Sequence, residues 1–212
     1  MSHNAVHTFV LLDQLEWQGN QSESGMNWDA IGWIGGDRNR LWFRTEGEFD
    51  EGRLDNAEAH LLYGRAFARW WDVVVGVRQD VRPGPTQTWG AFGVHGLAPY
   101  WFEVEATGYV SNNGQTAAHV KVTSELLVTN RLILQPLVEV NLYGKSTVER
   151  GIGAGLSSTD ISLRLRYEFR REMAPYIGVT WKHTFGKTRD LAKASGHTVS
   201  RVQFVAGLRL WY

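Results

Sequence analysis

Three histidines fall where strand alternation aims them at a shared polar face: His60, His95 and His119. Glu58 lies two residues before His60, so in a strand both side chains project to one side. His95 precedes a short connection, with Glu103 roughly opposite it on the next segment and Glu105 two residues further on. Imidazole with carboxylate is a donor set for a divalent first-row metal. The sulfur route is thin, because the chain has no cysteine and only 3 methionines. Met26 and Met173 fall near opposite ends of their segments. His3 and His7, in the leading stretch, and His197, in a loop, are positions of the adventitious kind. The same histidines would serve equally as ordinary hydrogen-bonded groups on a polar wall.

Other chemistries find less. A hydrolase needs a nucleophile and a base side by side. His183 near a strand end, with Ser195 or Ser200, is the candidate, but no spacing ties them. The absence of cysteine removes disulfide frameworks, zinc–thiolate sites and cysteine nucleophiles. Lys+Arg and Asp+Glu balance at 22 each, so there is no basic excess to meet a nucleic acid.

The elements that must hold these residues are strands. The 212 residues include 10 Trp and 23 Gly, and period-two alternation dominates over any helical period. Twelve candidate strands run over 8–18, 26–35, 40–50, 55–65, 71–81, 86–96, 101–110, 116–126, 132–143, 157–169, 175–185 and 198–212. Most are near the ~9–11 residues that a tilted membrane-crossing strand requires, against ~5–6 in globular sheets. Short connections near 35–39, 66–70, 97–100, 129–131 and 170–174 alternate with longer ones near 19–25, 81–85, 111–115, 145–155 and 186–196. No stretch approaches the ~18 apolar residues of a membrane helix. No linker divides the chain, so 8–212 reads as one barrel domain, with 1–7 a disordered, mature or recombinant lead.

Alternation sorts the faces. Phe204, Ala206, Leu208, Leu210 and Tyr212 oppose Arg201, Gln203, Gly207 and Arg209; Ile161, Leu163 and Leu165 oppose Asp160, Arg164 and Arg166. Leu41, Phe43 and Phe49 oppose Arg44, Glu46 and Glu48, and Phe102, Val104 and Val110 oppose Glu103, Glu105 and Tyr109. A soluble lipocalin-like barrel shares this pattern with the apolar set turned inward. Strand length, loop asymmetry and aromatics at strand ends favour the apolar set outward, against lipid. The belts would comprise Trp42, Phe43, Trp70, Trp71, Tyr100, Trp101, Phe102, Phe169, Tyr176, Trp211 and Tyr212 near the short turns. Trp17, Trp28, Phe49, Tyr109, Tyr143, Trp181 and Phe185 stand near the long loops. The fold expected is an all-β, twelve-stranded antiparallel transmembrane β-barrel of the outer membrane. Its lumen is crowded with charge of both signs, to be read as a stiffening ion-pair network or as a cation path.

Several strings are familiar: Leu11-Leu12-Asp13-Gln14-Leu15-Glu16-Trp17, Trp33-Ile34-Gly35-Gly36-Asp37, Gly96-Leu97-Ala98-Pro99-Tyr100-Trp101-Phe102-Glu103, Arg131-Leu132-Ile133-Leu134-Gln135-Pro136, Glu149-Arg150-Gly151-Ile152-Gly153 and Ala174-Pro175-Tyr176-Ile177-Gly178-Val179. Spread in order over nearly the whole chain, they resemble the barrel of the copper resistance protein B family. The resemblance implies a place in the bacterial outer membrane, copper as the cargo or ligand, and no enzyme activity or organic cofactor. Family members commonly carry a Met- and His-rich segment ahead of the barrel, and this sequence begins almost at the first strand. The expected metal contacts are His60, His95, His119, Glu58, Glu103 and Glu105. The expected partners are outer-membrane lipid, copper ions and, through the terminal aromatic Tyr212, the insertion machinery, with the chain a monomer. A passive solute or cation pore and a lipid-modifying enzyme are the alternative functions.

Overall fold

A computed structural model describes residues 6–20, 24–50, 52–196 and 198–212. It is a closed barrel of twelve antiparallel strands. In chain order these are β1 (His7–Gly19), β2 (Ser24–Gly35), β3 (Asn39–Asp50), β4 (Arg53–Ala68), β5 (Trp71–Arg82) and β6 (Gln87–Ala98). They continue as β7 (Phe102–Ser111), β8 (Thr116–Ser124, resuming at Leu126–Leu127), β9 (Leu132–Tyr143), β10 (Gly155–Tyr167), β11 (Met173–Thr184) and β12 (Ser200–Trp211). Each strand pairs with the next, and β12 pairs back with β1. The ladder therefore has no free edge, as a chain crossing hydrocarbon requires.

The side-chain period holds along most strands. Val73, Val75 and Val77 of β5 look outward, with Val75 56% exposed, while Asp72, Val74, Arg78 and Asp80 are buried inside. Phe204 lies outward between the inward Gln203 and Val205. In β1 the register shifts between Leu12 and Gln14. Leu11 and Asp13 therefore face the lumen before the shift, and Gln14, Glu16 and Gln18 face it afterwards. An extra residue in a strand has this face-changing effect.

Three features differ from the sequence reading. Loop 186–196 contains a helix, α1 (Gly186–Ala194). Its Thr188 Oγ1 accepts the Gly153 N–H at 2.9 Å and shares a hydrogen bond with Ser157 Oγ, tying α1 to the β9–β10 connection. The eighth strand is broken at Glu125. Trp42, Tyr109, Tyr143 and Tyr176 are not belt residues; Trp42, Tyr109 and Tyr176 are buried within the barrel, and Tyr143 lines the lumen cavity. The belt does hold at Phe43, Trp70, Tyr100, Trp101, Phe102, Phe169, Trp211 and Tyr212 near the short turns, and at Trp17, Phe49 and Trp181 near the long loops, all exposed.

The lumen is not uniformly polar. Trp42, Leu62, Val74, Trp89, Ala91 and Tyr109 form a buried apolar cluster on the inner wall of β3–β7. Glycine seats the large inward rings. At Gly207 an added β-carbon would fall 2.6 Å from the Tyr176 ring. His7 opens β1, while the rest of the lead expected at 1–7, His3 included, lies outside the described residues apart from Val6; so does His197.

Candidate metal centre in the barrel lumen

Hairpin register builds a row of like charges. Asp29 of β2 is directly opposite Glu46 of β3, Glu46 opposite Glu58 of β4, and Glu58 opposite Asp80 of β5. Like charges in directly opposed positions repel, so this row needs cations. Asp29 receives the Lys121 ammonium at 2.5 Å. Glu58 pairs with Arg78, which also donates to Asp80 at 2.6 Å. Asp80 receives Arg150 as well, at 2.7 Å. Among the described residues, Glu46 has no ion-pair partner within 4.0 Å.

His60 stands over the uncompensated part of the row. Its Nε2 is 2.9 Å from Glu58 Oε1, and one donor atom from each of Glu46, Glu58 and His60 falls within a 4.8 Å cluster. His60 is 7% exposed and its Nδ1 has no hydrogen-bond partner. The Tyr109 ring packs edge-on against it at 5.9 Å, and Arg78 lies over the same tyrosine. One imidazole and two carboxylates at this spacing suit a divalent cation with nitrogen and oxygen ligands, Cu(II) among them.

A second cluster sits nearer the short turns. His95 Nε2 is 3.1 Å from Glu103 Oε1 and 3.9 Å from Glu105 Oε1. The residue directly opposite His95 is Glu105, while Glu103 is opposite Leu97. The difference from the sequence expectation arises in the turn Pro99–Trp101, which sets the hairpin register two residues along. Arg44 pairs with Glu105 across the lumen, and the Glu103 side chain is 56% exposed.

His119 belongs to neither cluster. It stands opposite Thr107 and Asn141, and its Nε2 is buried without a partner. Its place is the neck between two cavities. One, of about 400 Å³, lies toward the long loops, and the other, of about 70 Å³, lies toward the short turns. Asp29, Glu46 and His119 contribute to the walls of both.

Elsewhere many of the lumen charges are paired as a stiffening network. Arg164 donates to both oxygens of Glu16 at 3.0 Å, and the Tyr176 hydroxyl donates to the same carboxylate at 3.0 Å. Lys182 meets Glu48 at 2.8 Å, and Arg209 meets Asp13 at 2.8 Å. The register sets His183 directly opposite Ser200, but among the described residues no hydrogen bond joins the two side chains. His183 is packed between Trp181 and Phe185 with Nδ1 unpartnered, and the Ser200 hydroxyl accepts its hydrogen bond from Trp181. Met26 and Met173 both face outward, at opposite ends of the barrel.

Sequence reasoning brought Glu58 with His60 and His95 with its two glutamates, and missed Glu46, Asp29 and Arg150. Glu46 was already on the polar face of its strand. The β3–β4 pairing that puts it beside Glu58 is the added information. Arg150 comes from the 3₁₀ turn Val148–Arg150 in a loop and reaches Asp80 from outside the strand pattern.

Residues 6–212 match the family model described as copper resistance protein B precursor (CopB). The chain is 51% identical to a copper resistance protein B of Escherichia coli over 209 residues, 99% of this chain and 71% of that one. It is 47% identical, over the same shares, to a copper resistance protein B homolog of Pseudomonas syringae pv. tomato. Among solved structures, the NanC porin superposes with a TM-score of 0.62 at 10% identity, covering 96% of this chain and 99% of the porin. Outer membrane phospholipase A from Escherichia coli superposes at 0.54 with 11% identity, covering 96% and 92%. At these identities the structural likeness shows the barrel fold alone. With the closed barrel and its outward apolar face, the match over residues 6–212 places the chain in the copper resistance protein B family, an outer-membrane β-barrel with a role in copper resistance.

Proposed function

We propose that the lumen binds copper ions at Glu46, Glu58 and His60 and passes them across the outer membrane. The supporting observation is the row Asp29–Glu46–Glu58–Asp80, in which Glu46 alone lacks a cation among the described residues. A copper ion held there would relieve the repulsion that the register imposes. His119 at the neck leads to His95, Glu103 and Glu105, a second and weaker station. On this reading the chain is not an enzyme, works as a monomer in lipid, and presents Tyr212 to the insertion machinery. Buried carboxylates along a lumen are a usual device for drawing in cations.

The test is copper influx into sealed liposomes that hold the barrel and an enclosed copper-sensitive dye. Influx is expected to saturate, and to slow in the Glu46→Gln/His60→Ala double variant more than in His95→Ala/Glu103→Gln. Influx no faster than in protein-free liposomes removes the passage reading. Linear, unsaturable influx that neither variant changes makes the barrel a passive pore.

A further inference from the structure

We infer that Lys121 is the specificity-determining residue of the lumen, a tethered cation that closes the neck to monovalent ions. The inference rests on the copper reading above only for the ion that displaces it. Lys121 projects from β8 and its ammonium reaches Asp29 on β2, on the far side of the barrel, at 2.5 Å. It lies 3.6 Å from Glu139 on the neighbouring β9, and Glu105 on β7 is directly opposite it. Its side chain is 13% exposed. The ammonium thus occupies the kind of position a permeating cation would take, among three carboxylates, where the two cavities share Asp29 and Glu46 in their walls.

The consequence is charge arithmetic. The ammonium already fills the seat between Asp29 and Glu139, so a potassium or sodium ion entering the neck meets a fixed positive charge in the place it would take. A divalent ion bound at Glu46, Glu58 and His60 sits beside Asp29, the lateral neighbour of Glu46. It competes with Lys121 for that carboxylate and offers twice the charge. Release of Asp29 frees the lysine stem to swing toward Glu139, and the neck opens behind the bound ion.

Planar-bilayer recording in a potassium chloride gradient without copper tests this. Wild type and Lys121→Arg are expected to stay closed. Lys121→Met is expected to carry steady current, with its reversal potential shifted toward the potassium equilibrium value. Should Lys121→Met fail to give the heat-modifiable band of a folded barrel, Asp29→Asn/Lys121→Met removes both charges of the pair and must conduct in its place. A folded variant with the current and reversal potential of wild type overturns the inference. A copper titration of the same wild-type protein separates the two readings. Absence of binding there removes the copper site, while the potassium current still decides the role of Lys121.

Discussion

The two imidazole–carboxylate clusters use the same residue types and differ in their neighbours. At His95, Glu105 is matched by Arg44 and Glu103 stands at an exposed rim, so every charge there has a partner or water. At His60, burial is nearly complete, Arg78 is shared between Glu58 and Asp80, and Glu46 is left over. Donor chemistry alone does not make a cation site. What distinguishes the His60 cluster is a carboxylate, Glu46, that faces the lumen cavities with no cation beside it among the described residues.

The difference can be broken from its most costly side. Arg78→Ala strips the buried Glu58 of its guanidinium partner in a row already short of cations and is expected to cost about 3–5 kcal/mol of stability in lipid, measured by urea unfolding. A loss under 1 kcal/mol would show that water reaches the His60 cluster as freely as the His95 cluster. The lipid face gives the matching control. Val75→Arg, mid-strand on the outside of β5, is expected to cost about 2–4 kcal/mol, without altering copper affinity in a detergent titration. Copper affinity itself sharpens the contrast. Glu46→Gln is expected to weaken Cu(II) binding about tenfold, near 1.4 kcal/mol, whereas Glu105→Gln should leave it within error. Equal losses in both variants would make the clusters equivalent. At the small end, Glu103→Ala removes an exposed pair and is expected to change stability by only about 0.2–1 kcal/mol.

Most of the wall was legible from alternation. Val73, Val75 and Val77 outward, and Arg164 and Arg166 inward, follow from a period of two once length and loops choose the outer face. The misplaced aromatics were a matter of weighting. Trp42 and Tyr176 share parity with Arg44 and Lys182, so the period assigns them inward, but their nearness to strand ends suggested a belt. The helix α1 escaped because Gly186 and Gly196 mark its segment as a loop, although Leu191-Ala192-Lys193-Ala194 between them are good helix formers. The site was half visible. Pairs within one strand, such as Glu58 and His60, follow from spacing. Pairs across strands, such as Glu46 with Glu58, depend on register, which a single strand does not encode. Lys121 with Asp29, 92 positions apart, depends on the curvature of the whole sheet.

The seam between β1 and β12 carries a consequence for the order of events in assembly. Val10 and Tyr212 exchange two backbone hydrogen bonds, at 2.9 and 2.8 Å, and nearby Arg164 grips Glu16 across a sequence separation of 148. None of these contacts exists in a growing hairpin array, however many strands it contains. Each has to wait for the sheet to roll up and bring its two margins together. The Arg164–Glu16 clasp is therefore a reporter of completion, formed in one late step, and a barrel stalled before that step would leave both charges facing the membrane interior or water. The lumen ion pairs that span the seam are thus contacts of the closed barrel alone.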